Sequence, residues 1–136
     1  MARSSGDVKA HESIDALAAL AKRREAALRA ALARMTAAAR DAGEAVAERE
    51  RACDTQRRVW QEALSRGGVY GQREAAGATR SVEAERMALG EAKARHGAAL
   101  EQVQQAEAAL RQQRERLQTN ARKQEKLREL LALYRS

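Results

Sequence analysis

The sequence predicts an all-α fold, a long two-helix antiparallel coiled-coil hairpin, and three observations carry that expectation. Strong helix formers dominate the 136 residues, which include 33 alanines and no proline. Apolar residues follow a seven-residue repeat on both sides of the midpoint, as in a left-handed supercoil. Between the two stretches lies "SRGGVYGQ" (residues 65–72), which places three glycines within five residues. Alanine supplies more than half of the 44% hydrophobic content, Phe is absent and aromatics make up 2%. Such a chain has too few large apolar side chains for a thick globular core, but enough for a thin seam between two helices.

The first element is the N-terminal tail. Residues 1–12, "MARSSGDVKAHE", contain no apolar repeat and are expected to be flexible, with Asp7 or Ser13 as the helix N-cap. They also lack the apolar run of a secretory signal.

The first helix is expected over residues 13–66. One heptad column is Ile14, Ala21, Leu28, Met35, Ala42, Arg49, Gln56 and Ala63, apolar at six of eight places. A second, three residues later, is Leu17, Arg24, Ala31, Ala38, Ala45, Ala52 and Val59, apolar at six of seven. A charged but disordered chain would not hold this register.

The turn is expected at residues 67–71, where Gly67, Gly68 and Gly71 tolerate the positive φ values that reverse a chain. The second helix is expected over 72–134. Its columns are Ala75, Val82, Leu89, His96, Val103, Leu110, Leu117, Gln124 and Leu131, and Ala78, Glu85, Ala92, Ala99, Ala106, Gln113, Asn120, Leu127 and Tyr134. Seven of nine and six of nine places are apolar. Folding about residue 69 sets Leu28 near Leu110, Met35 near Val103 and Ala42 opposite His96. Gly43, Gly77, Gly90 and Gly97 weaken the helices and are expected to let them approach closely along Ala-rich seams.

Charge is uneven. Residues 1–40 carry a net +4 and residues 111–136 a net +5, whereas 41–66 and 67–110 each carry −1. In a hairpin the basic segments share the open end, which should seek an acidic surface. The last stretch, "LRELLALYRS", adds Leu130 and Leu133 outside the predicted seam, beyond the end of the first helix. They read either as packing on residues 7–13 or as an apolar plug for another protein. Trp60 and Tyr70, near the turn, read either as local packing or as a contact patch.

No catalytic constellation is present. His11 and His96 have no metal-ligand spacing around them, and "GVYGQ" lacks the Lys-Ser/Thr of a phosphate-binding loop. His96 reads as a tolerated seam residue and Cys53 as a small buried hydrophobe. The single cysteine fits a reducing compartment, and no segment has the apolar run of a membrane span. A nucleic-acid-associated basic coiled coil remains an alternative, but Arg is interleaved with Glu and there is no aromatic platform. A self-assembling structural coiled-coil rod is another, since Ala seams specify partners weakly.

The length, the hairpin pattern, "ALAALAKRREAALRAALARM", "VWQEALSRGGVYGQREAAGATRSVE" and "EQVQQAEAALRQQRERLQ" together resemble the FliJ/YscO class of type III secretion proteins, in its short Ala- and Arg-rich form. The resemblance spans nearly the whole chain. It implies a cytoplasmic, non-enzymatic stalk without cofactor or metal, peripheral at the inner-membrane secretion apparatus. Its open end would enter the hexameric secretion ATPase and its turn half would face the export gate; some members also bind export chaperones. The ATPase-binding residues expected here are Arg122, Lys123, Lys126, Arg128, Leu130, Leu133 and Tyr134. The gate- or chaperone-binding residues are Trp60, Val69 and Tyr70.

Overall fold

The computed structural model describes residues 4–66 and 72–135, with side chains described over 4–66 and 76–134. Two long α-helices pack against each other, α1 (Ser5–Arg66) and α2 (Gln72–Arg135), and no strand occurs among the described residues. The ends of α1 and α2 that face the predicted turn fall where the sequence places them. The turn itself, with the three clustered glycines, lies outside the described residues.

The start of α1 corrects the expected tail, because the helix begins at Ser5 rather than at residue 13. The cause is local. The Ser4 hydroxyl accepts a hydrogen bond from the Asp7 amide at 3.2 Å, and the Ser4 carbonyl accepts one from the Val8 amide at 3.1 Å. Ser4 is therefore the N-cap, and Asp7 places a negative charge in the first turn, where the helix dipole favours it. Ala10 and His11 are half-buried, as is Tyr134, and Leu131 is buried. The second helix thus does not overhang the first as the sequence suggested.

The helices form two compact units. Unit 1 comprises residues 1–37 and 108–136, and unit 2 residues 38–107. In unit 1, Gln113 Nε2 donates to the Leu28 carbonyl at 3.0 Å and Asn120 Nδ2 donates to the Ala21 carbonyl at 3.0 Å. In unit 2, Gln56 Nε2 donates to the Glu85 carbonyl at 3.1 Å and to the Glu85 carboxylate. In all three pairs the residue numbers sum to 141, so the pairing is antiparallel. The bonded pairs lie about one turn from the expected ones: Leu28 is bonded to Gln113, three residues beyond Leu110, which was expected near it.

Seam composition follows the second predicted frame closely. Every described member of the two α2 columns is buried or half-buried. In α1 the first column holds, except that Arg49 is exposed. The second column holds only in part: Ala31, Ala45 and Val59 are half-buried, but it is the column one residue later that is covered throughout. Ala18, Glu25, Leu32, Ala39, Val46, Cys53 and Trp60 are buried or half-buried, while Leu17, Arg24, Ala38 and Ala52 are exposed. The later column is also apolar at six of seven places, so pattern alone does not choose between them. Side-chain size favours the later one, because Leu32, Val46 and Trp60 have more apolar surface to bury than Ala31, Ala45 and Val59.

The glycines also depart from expectation. Gly43, Gly77, Gly90 and Gly97 are exposed, and a Cβ built on any of them meets nothing within 4 Å. They do not mediate close helix approach.

Candidate partner-binding surface

Unit 1 is strongly basic, with 15 Lys/Arg against 7 Asp/Glu for a net +8, whereas unit 2 carries 11 against 12 for a net −1. Within unit 1, cover of the later α1 column leaves Leu17 outside the seam. Leu17, Leu20, Ala21 and Arg24 share one face of α1 at helical spacing. Asn120, Lys123, Leu127 and Leu130 do the same on α2. The two stripes face one open groove of about 310 Å³, which Lys126 also lines. Ala21 and Asn120, 6% and 4% exposed, form its floor. Leu17, Leu20 and Leu130 are 52%, 45% and 38% exposed, so the groove presents apolar surface to solvent between basic lips.

A second groove of unit 1, about 570 Å³, is mixed in character, with Asp15, Lys22, Glu25, Gln124 and Arg128 beside alanines and Leu131. The Glu25 carboxyl lies below its ordinary value. Its hydrogen bond with Gln124 is the main cause, followed by its bond with Arg29, and the Arg29 and Arg128 charges add to both. The Arg29–Glu25 contact is 3.2 Å and spans one turn of α1.

Of the expected ATPase-binding residues, Arg122, Lys123, Lys126 and Arg128 are exposed. Lys123, Lys126 and Leu130 converge on the apolar groove, and Arg128 lines the mixed one. Leu133 is 71% exposed and Tyr134 half-buried. Trp60, expected at the gate contact, is half-buried in the seam, and its enclosed indole Nε1 has no hydrogen-bond partner among the described residues. Val69 and Tyr70 lie outside the described residues. Sequence reasoning missed Leu20 and placed Leu17 and Arg24 in the seam. The signal that recovers them is the spacing of Leu17, Leu20 and Arg24 once Ala18 takes the seam place.

Among the described residues no cluster of His, Cys, Asp or Glu could hold a metal ion, and no helix is long and apolar enough to cross a membrane. No family model matches the chain, and neither curated proteins nor solved structures give a match.

Proposed function

We propose that this protein is a non-enzymatic stalk or coupling factor of a type III secretion system, whose basic unit 1 enters the hexameric secretion ATPase and promotes its activity. The observation that carries the reading is the coincidence in one unit of a net +8 charge and an exposed leucine groove. Exposed leucines on a charged coiled coil call for a partner that covers them, and the charge gives that partner an acidic surface. The two-helix fold supports the reading, as does the sequence resemblance to the FliJ/YscO class.

The mechanism is mechanical. A two-helix stalk has no six-fold symmetry, so inside a six-fold ring it touches the subunits unequally. Unequal contact biases their nucleotide states, because a ligand shifts an equilibrium by its differential affinity for the states. The residues near the turn, Trp60 with Val69 and Tyr70, would link the ring to the export gate protein or to export chaperones at the cytoplasmic face of the inner membrane.

Replacing Arg122, Lys123, Lys126 and Arg128 with Glu tests the reading. These side chains are exposed, so helicity by circular dichroism is expected to persist while stimulation of the ATPase is lost. Unimpaired stimulation by the variant overturns the role of this surface. Submicromolar binding of the wild-type chain to duplex DNA at physiological salt would instead favour a nucleic-acid partner.

A further inference from the structure

The apolar groove of unit 1 has a shape and charge pattern that specify its occupant. We infer that it is a docking site for an amphipathic helix of another protein, with a narrow apolar stripe flanked on both sides by acidic residues. The inference rests on the reading above in taking unit 1 as the partner-binding end, and it adds what the partner surface must look like.

Two antiparallel helices leave a furrow on each side of their seam, and a third helix fills such a furrow by packing its own ridge there. On this side the furrow offers Leu17 and Leu20 from α1 and Leu127 and Leu130 from α2, over a floor of Ala21 and Asn120. From Leu17 to Arg24 the α1 stripe runs about 10 Å, and from Asn120 to Leu130 the α2 stripe runs about 15 Å, at roughly 1.5 Å per residue. Two to three turns of a partner helix match that length, with apolar residues at every third or fourth position.

The charges restrict the partner further. Arg24 stands on the α1 side of the groove, and Lys123 and Lys126 stand on the α2 side. No Asp or Glu lines it. An incoming helix with Lys or Arg beside its apolar stripe meets like charge on both flanks, whereas Asp or Glu meets a counter-charge. The same argument disfavours a second copy of this chain. A symmetric pairing through this groove would bring two sets of Arg24, Lys123 and Lys126 together within two units of net +8. The other groove of unit 1 contains Asp15 and Glu25 beside Lys22 and Arg128 and has no such one-sided pattern.

The test uses the full chain and three synthetic 18-residue helical peptides carrying a fluorophore. The first has a leucine stripe flanked by Glu, the second the same stripe flanked by Lys, and the third the Glu flanks with the leucines replaced by Ala. In fluorescence anisotropy at 0.15 M salt, the first peptide is expected to bind at least tenfold more tightly than either of the others. Leu20→Ala with Leu130→Ala should weaken that binding roughly tenfold or more while helicity is unchanged, because both side chains are already partly exposed. If the double variant loses helicity, Lys123→Glu with Lys126→Glu reports instead, since both residues are exposed. That pair should invert the preference towards the Lys-flanked peptide.

Equal binding of the Ala-stripe peptide would show charge attraction alone and overturn the inference, as would no binding of the first. Self-association of the wild-type chain that Leu20→Glu abolishes would assign the groove to a second copy and overturn it as well. The ring reading fails separately. Peptide binding without any capture of the ATPase keeps the groove and removes the ring. ATPase stimulation that survives Leu20→Ala with Leu130→Ala, together with loss of peptide binding, keeps the ring and shows that it docks elsewhere.

Discussion

Asn120 and Gln113 are polar residues at seam positions, 4% and 3% exposed, and each spends its amide on a carbonyl of the opposite helix. A buried polar residue in a coiled coil fixes register and orientation at a cost in stability. The cost is visible at Asn120, whose Oδ1 is enclosed and has no hydrogen-bond partner among the described residues. Asn120→Leu is therefore expected to raise the melting temperature by several degrees, and together with Gln113→Leu to loosen the pairing. Thermal unfolding and sedimentation check this; a lower melting temperature for the single variant would show that the amide is net stabilising. Glu25 makes a pH prediction. Its folded-state pKa lies below the ordinary 4.5 because of Gln124, Arg29 and Arg128. The stabilisation is thus fully present above that value and is lost as pH falls through the depressed folded pKa. Acid titration of unit 1 should show a stability loss in that window, and Glu25→Gln should flatten it.

Gly43, Gly77, Gly90 and Gly97 all lie in unit 2, each with open space where a Cβ would stand. Each Gly→Ala replacement is expected to stabilise by about 1 kcal/mol, the difference in helix propensity. The fourfold variant should melt higher and slow amide exchange in unit 2 more than in unit 1; unchanged exchange would mean that unit 2 does not open through these positions. How legible the elements were depends on composition. The α2 frame could be read because Val82, Leu89, Val103, Leu110, Leu117 and Leu131 mark one column with large side chains. In α1, alanines on both sides of the seam blur the stripe, so columns three and four residues from Ile14 score alike. Leu17 therefore reads as a seam residue, and the groove that it lines has no signature in the pattern. The early helix start is not legible in the apolar pattern because the cap is Ser4, upstream of any apolar repeat.

For the molecule as a whole, the sequence conveyed the antiparallel pairing and the basic bias but not the register. Three hydrogen-bonded pairs mark that register, and each includes a bond to a backbone carbonyl. Seven-residue periodicity is indifferent to a slip of this kind. The resulting pairing predicts that Leu28→Cys with Gln113→Cys, in a Cys53→Ala background, cross-links within one chain. The product is resolved by electrophoresis under non-reducing conditions. Cross-links formed only between chains would replace the hairpin with a dimer of extended helices.

The amide-to-carbonyl bonds have a consequence for how such a chain varies. At Ala21 and Leu28 the acceptor is main chain, which every residue type supplies, so substitutions there are filtered only by the volume the seam admits. At Asn120 and Gln113 the donor is the side chain itself. Constraint is therefore lopsided across the pair, and positions 21 and 120, though in contact, have no reason to change together. Related sequences should hold an amide near 113 and 120 while drifting freely among small and aliphatic residues at 21 and 28. A search for correlated substitutions would miss the contacts that set the register of the fold.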